Sequence, residues 1–357
     1  MSGATAIAAT DDDPGGRAAR LVAAAFTFDS AHVFRIGGPG RPRLPLGDEP
    51  LDASLIADWR AAGMKAFLHP FGILHPDLHL GQLKLLALWN SFIADHGDAL
   101  LRIDEPADFD RIRTTGTIGV LVGSHHGEPF RSVDDVDYFC SLGLRSCNLV
   151  TFGQNRLGTA VDEPAGGGLT AFGRSVVERM NRVGMAVDVS HCNERTRLDA
   201  IAASAQPVLM SHANAAALCP NVRNVSDAVI RALAAAGGVM GVLPLRMLVT
   251  PAEPATLDDY LNHIAHVCEL AGPDHVGLGL ETPFEGFDSI PAANQMPLPG
   301  YLRNAGEQRR LDLPELCHLR RLETIAAALL RRGFDQAAVG GIIGGNFERV
   351  LRAILAV

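Results

Sequence analysis

Three features of the chain predict a single-domain α/β protein folded as a (β/α)8 TIM barrel. Eight short apolar runs alternate with longer amphipathic segments. Several of those runs are apolar throughout, as strands covered on both faces should be. Metal-binding side chains recur just beyond the runs. The runs are residues 26–29, 66–68, 118–122, 145–150, 185–189, 207–210, 238–243 and 275–280. Helices are predicted between and after them. Residues 83–96 are amphipathic, 169–183 follow the glycine turn at 166–168, and 196–204 follow a polar turn. Residues 227–236 stop at Gly237-Gly238, 257–271 at Gly272-Pro273 and 319–332 at Gly333, while 346–355 close the chain. An open doubly wound sheet is the competing arrangement. Residues 1–20 read as a disordered or loosely packed N-terminal segment and 21–357 as the barrel domain. Two breaks rich in Gly, Pro and polar residues, 37–50 and 282–313, each follow a strand, which puts them on the catalytic face of a barrel.

Composition supports a large soluble core. The 357 residues are 47% hydrophobic and 20% charged, which excludes a disordered chain, a collagen-like chain and a disulfide-stapled miniprotein. The net charge is −9 and no Lys/Arg block occurs, so nucleic acid is not expected as a partner. The cysteines at 140, 147, 192, 219, 268 and 317 form no CxxC pair and read as reduced thiols. The first 16 residues lack the basic-then-apolar order of a signal peptide, and no run reaches the ~18 apolar residues of a membrane span. A cytoplasmic protein with no membrane partner is expected, with a homodimer as the common default.

The polar residues gain meaning when set against the strands. His32 follows the first run, His125 and His126 the third, Thr151 the fourth, His191 the fifth, His212 the sixth and Glu281 the eighth. In a barrel those ends converge on one face, and histidines converging with a carboxylate read as a metal site. A lone strand-end histidine is more often structural, but the paired settings Val-Ser-His191 and Met-Ser-His212 weaken that reading. His263 and His266, three apart on a predicted helix, read as structural, as do His69, His75 and His79 for the most part. Residues 166–168 lack phosphate-loop spacing. Cys192 should point away from His191, so a nucleophilic cysteine is a minor option.

Several stretches resemble the membrane (renal) dipeptidase family: GLTAFG at 168–173, MNRVGM at 180–185, DVSH at 188–191, PVLMSH at 207–212, RNVSD at 223–227, HVGLG at 275–279 and GGNFERV at 344–350. The resemblance implies a (β/α)8 barrel with two zinc ions acting on a dipeptide. It implies an HxD metal pair after the first strand, a bridging glutamate after the third, and a substrate-contacting histidine after the fourth. It further implies metal histidines after the fifth and sixth strands, a carboxylate-binding arginine, and a proton-handling aspartate after the eighth. His191 and His212 match the metal histidines and Arg223 the arginine. The other positions depart from the pattern. The HxD pair is His32-Val-Phe34, the bridging glutamate falls on His125 (His126 if the register slips), and the fourth-strand histidine is Thr151. The aspartate is Glu281, with Glu285 as fallback.

These departures remove negative charge from a site meant for two cations. One carboxylate remains, and an imidazole cannot bridge two ions through one atom. Two divalent cations ~3.5–4 Å apart would then repel strongly. The expected centre therefore holds one transition metal, zinc first, with copper, iron or nickel as alternatives. Its expected ligands are His125, His191, His212 and His32. Glu281 is the expected general base, while Arg223 and Thr151 bind the substrate. The expected partner is a small peptide-like or amino-acid-like carboxylate substrate. Three readings stay open: a metal-dependent enzyme with chemistry shifted toward specialised metabolism, an inactive relative that binds a ligand or partner, and an ordinary dizinc dipeptidase. Restoring both acids, Phe34→Asp and His125→Glu, is expected to rebuild the two-metal site.

Overall fold

The protein is described by a computed structural model covering residues 14–34, 51–70, 75–163, 165–289 and 311–357. In chain order the chain forms α1 (Pro14–Ala24), β1 (Phe28–Asp29), α2 (Ser54–Ala61), β2 (Ala66–His69), α3 (Leu78–Asp95), β3 (Leu100–Arg102), α4 (Ala107–Thr115), β4 (Ile118–Ser124) and α5 (Asp135–Ser141). It continues with β5 (Leu144–Asn148), α6 (Ala171–Arg182), β6 (Ala186–Asp188), α7 (Glu194–Ala203), β7 (Leu209–Ala213), α8 (Asp227–Ala235), β8 (Val239–Val242), α9 (Arg246–Val249) and α10 (Leu257–Ala271). The last elements are β9 (Val276–Leu278), α11 (Arg321–Arg331), α12 (Gln336–Gly340) and α13 (Asn346–Leu355).

The strands pair in parallel in the order β1-β2-β4-β5-β6-β7-β8-β9. The ring nearly closes where Ser30 N donates to Leu278 O at 2.9 Å and Glu281 N to Ala31 O at 3.0 Å. All eight apolar runs are strands of this barrel. The added strand, β3, pairs only with the start of β4. The expected helices are all present, some with shifted ends; α1, α2, α4, α5, α9 and α12 come in addition. Residues 1–13 and the break at 37–50 lie outside the described residues, as do 290–310 of the second break. Residues 14–20, expected to be loose, belong instead to α1, which buries Ala18 and Val22 and packs on α11.

Side chains two apart on a strand share a face, and this layers the barrel interior. At the strand starts Phe28, Ala186 and Leu209 join Phe347, Val350, Leu351 and Ile354 of α13 in one buried cluster. Phe347 stacks on Phe28 with ring centroids 5.6 Å apart, so α13 plugs the N-terminal end of the barrel. The turn before α13 must run against β1. A Cβ on Gly344 would lie 2.1 Å from Phe26 O, so only glycine fits there. Two residues further along the same strands stand Ser30, Asp188 and Ser211, a buried polar layer. Ser30 Oγ donates to Ser211 O at 2.5 Å. Among the described residues no helix is long and apolar enough to cross a membrane.

Candidate metal centre

The polar layer supports a second tier of side chains at the C-terminal ends of the strands. β4 leads into His125, β6 into His191, β7 carries His212, and β9 leads into Glu281. One donor atom from each of these four lies within 4.8 Å of all the others. The His191 and His212 Nε2 atoms are 2.9 Å apart, and Glu281 Oε1 is 3.8 Å from His212 Nε2. Tight packing brings the tier together: a Cβ on Gly279 would sit 1.9 Å from Ser211 O. Glu281 itself adopts φ 46°, a left-handed conformation uncommon outside glycine. That strain is held by the bond from its N–H to Ala31 O and fixes the carboxylate at the cluster.

A buried carboxylate beneath the cluster sets one tautomer. Asp188 accepts the hydroxyl protons of Ser190 (2.6 Å) and Ser211. Ser211 Oγ is therefore left to accept from His212 Nδ1–H at 2.7 Å, which turns the Nε2 lone pair toward the cluster. Burial, followed by the field of Arg223, pushes His191 and His212 well below the ordinary histidine range. Burial and the field of His126 bring His125 down to about 3. All three are thus neutral imidazoles, the ligand form. Burial pushes Glu281 up to about 7 without a cation present, against the opposing field of Arg223. Asp188→Asn removes the acceptor that orders both serines. It is expected to weaken zinc binding about 10- to 100-fold with the fold retained, measured by chelator competition. Unchanged affinity would show that the relay plays no part.

The other expected site residues are placed differently. His32 does not join the cluster. Its Nε2 accepts from Trp59 Nε1 at 2.8 Å, and its Nδ1 donates to Asp29 Oδ2 at 3.1 Å. Both ring nitrogens are taken, so no lone pair is left for a metal. Phe34 lies in an aromatic layer, with ring centroids 4.8 Å from His69, 5.7 Å from Trp59 and 5.9 Å from Trp89. Thr151 is buried, and its hydroxyl donates to His125 O, which Asn148 Nδ2 also reaches at 3.0 Å. It clamps a histidine backbone. Arg223 is 2% exposed; Nη1 donates to Ser190 O at 2.5 Å and Nη2 to His212 O at 2.9 Å. These two bonds brace the two histidine segments, so the expected bidentate grip on a substrate carboxylate would fall to the guanidinium's other donors. His126 turns to Glu128, 3.5 Å away, and Glu285 is exposed outside the cluster. Burial pushes the Cys192 thiol up to about 12, which removes it as a nucleophile.

Residues that the sequence did not single out complete the surroundings. Asp188, Ser190 and Ser211 form the relay. Arg197, fully buried, donates to Ser190 O at 2.7 Å and to Arg223 O at 3.3 Å. Arg321 reaches Asp29 Oδ2 at 3.4 Å beneath His32. The DVSH and PVLMSH motifs contain Asp188 and Ser211, but only the pairing of β6 with β7 shows their partnership.

Three buried histidines outside the cluster dictate how stability depends on pH. Burial lowers His32 and His263 below 6.5 and His69 to about 3. Below pH 6.5 the unfolded chain therefore binds protons that the native chain refuses, and stability falls as pH drops toward the native values. His69, held at about 3, costs about 2 kcal/mol at pH 5, and His32 and His263 act in the same direction. Urea unfolding at pH 7.5, 6 and 5 is expected to show a flat region followed by this loss; a profile flat to pH 5 would contradict the neutral histidines.

The donor set suits a metal ion. Donors around one ion at about 2.0–2.2 Å lie roughly 3–4 Å apart. His191 also keeps a buried Nδ1 with no hydrogen-bond partner, so protein hydrogen bonds alone do not satisfy that ring. Imidazoles with one carboxylate favour zinc and its neighbours over magnesium or calcium. Among the described residues no other His, Cys, Asp or Glu group of three or more gathers in this way.

A parallel barrel carrying such a cluster at its C-terminal face is a barrel of the metal-dependent hydrolase type. Within that class the chain belongs to the membrane dipeptidase family, peptidase family M19, whose model matches residues 75–297. It is 31% identical over 263 residues to dipeptidase tcpJ of Claviceps purpurea, covering 72% of this chain and 56% of that one. The chain spans about half the length of the first curated relatives it matches. Among solved structures, an amidohydrolase from Pseudomonas aeruginosa is 25% identical with a TM-score of 0.76, covering 95% of this chain and 99% of that one. A metallopeptidase from Rhodobacter sphaeroides, liganded with a phosphinate mimic of the dipeptide L-Ala-D-Ala, is 20% identical with a TM-score of 0.70, over 92% and 98% of the two chains; it shares the fold.

Proposed function

We propose that the protein is a single-metal hydrolase that cleaves the amide of a small peptide-like substrate bearing a carboxylate. The observation that carries this reading is the His125–His191–His212–Glu281 cluster, with neutral imidazoles and one acid. His125, His191 and His212 would hold the ion. A divalent transition metal bound there supplies Lewis-acid polarisation of a carbonyl and acidifies water. Glu281, the one carboxylate at the cluster, takes the proton from water and returns it to the leaving amine. Asp188 and Ser211 hold His212 in its donor tautomer. Arg223 and Arg197 place two buried positive charges behind the histidines, and these attract a substrate carboxylate.

A single ion follows from the same residues. Three imidazole donors with one nearby acid serve one ion, whereas two ions each need their own set. The position that would carry the second set holds Phe34 among aromatic rings, beside a His32 whose nitrogens are both engaged. The metallopeptidase neighbour with its dipeptide mimic and the dipeptidase relative support the substrate class. The test is mass-spectrometric detection of free amino acids from a dipeptide library, using protein loaded in turn with zinc, cobalt and manganese. Cleavage that disappears on chelation and returns with metal is expected. Metal binding without cleavage of any dipeptide would overturn the hydrolase reading and favour a ligand-binding relative.

A further inference from the structure

Beside the metal centre the ring of Phe152 faces solvent. It is 55% exposed, yet its centroid lies 6.2 Å from that of His191, with the rings 66° apart. Isolated exposed apolar residues are ordinary, so placement has to carry the argument. Phe152 directly follows Thr151, whose hydroxyl clamps the His125 carbonyl, so it is anchored to the cluster. Its loop is also fixed. Gly153 N donates to Asp162 Oδ1 at 2.7 Å, Ala160 N to Gly153 O at 2.7 Å, and Val161 N to His191 O at 3.0 Å. Gln154 and Thr159 form an antiparallel bridge across that loop. A loop so tied holds its aromatic ring in water at the mouth of the site. Val222, 60% exposed, stands on the loop after β7, next to the bracing Arg223. Phe152 follows β5, so the two flank the end of β6, where His191 sits.

We propose that Phe152 is a specificity-determining residue whose ring takes a nonpolar, by preference aromatic, side chain of the substrate. The inference rests on the amide-hydrolysing reading above, and it names the substrate class as peptide-like carboxylates with an apolar side chain next to the scissile amide. A substrate side chain laid on the ring removes apolar surface from water, and an aromatic one adds the favourable edge-to-face geometry that His191 already shows. The gain is worth about tenfold in affinity over a substrate with no side chain there.

The experiment is calorimetry on the zinc-loaded full chain with phosphinic pseudo-dipeptides. One compound is the diglycine analogue, and two others carry a benzyl group on one or the other side of the phosphinate. Wild type is expected to bind one benzyl compound about tenfold or more tighter than the diglycine analogue. Phe152→Ala, with unchanged metal content and circular dichroism, is expected to cut that preference to within about threefold, and Phe152→Leu to keep part of it. No preference in wild type, or a preference that survives Phe152→Ala, would overturn the role of Phe152 and leave the metal-centre reading standing. If no phosphinate binds zinc-loaded wild type, the amide-hydrolysing reading fails and this inference fails with it.

Discussion

His212→Ala is expected to abolish tight metal binding, lowering zinc affinity by at least about a hundredfold and removing hydrolysis with it. The estimate follows from position. A substitution that only disturbs a ligand's hydrogen-bond partner costs about 10- to 100-fold, and this one removes the ligand itself. His212 Nε2 is 2.9 Å from His191 Nε2 and 3.8 Å from Glu281 Oε1, so its loss opens the middle of the donor set. It also strands the Ser211 hydroxyl above Asp188. Chelator competition measures the affinity, and a urea titration shows that the barrel persists. Near-normal zinc affinity in a folded variant would remove His212 from the centre.

Restoring the two family acids, Phe34→Asp with His125→Glu, gives the second large effect, and its direction is opposite to the sequence expectation. Phe34 is 2% exposed and packs against His69, Trp59 and Trp89. Removing its ring alone costs about 3–5 kcal/mol. The new carboxylate would be buried among aromatic rings, beside a His69 that burial holds at about 3. His32 could not act as its metal partner while Trp59 and Asp29 hold both its nitrogens. The double variant is therefore expected to lose at least about 3 kcal/mol of stability in urea unfolding and to gain no second ion. A stable variant carrying two ions would show that the aromatic layer yields easily and that two residues separate the two kinds of centre.

The legible and hidden parts of this molecule divide along physical lines. The barrel strands are buried on both faces and so read as continuous apolar runs; all eight were visible. β3 was not, since it is only three residues long and two of them, Leu101 and Arg102, are partly exposed. Helix α4 was missed because only Asp108, Phe109 and Ile112 along it are buried, which blurs the apolar stripe. At the site, strand-end position pointed to His125, His191, His212 and Glu281, because a parallel barrel brings strand ends together. The same rule misplaced His32. Its fate depends on Trp59, 27 residues away on α2, and no local pattern reports that contact. Thr151 and Arg223 were read as facing the substrate, but the long-range carbonyls of His125, Ser190 and His212 hold them. The relay from Asp188 to Ser211 spans 23 residues and needs the pairing of β6 with β7 to exist.

The measurement that bears most directly on the single-metal centre is the number of transition-metal ions per chain. Elemental mass spectrometry on tag-free protein, saturated with zinc and then freed of excess, gives that number, with His191→Ala run beside it. One ion per chain, lost in the variant, is the expected result. Two ions per chain would contradict it and return the protein to the dizinc members of its family.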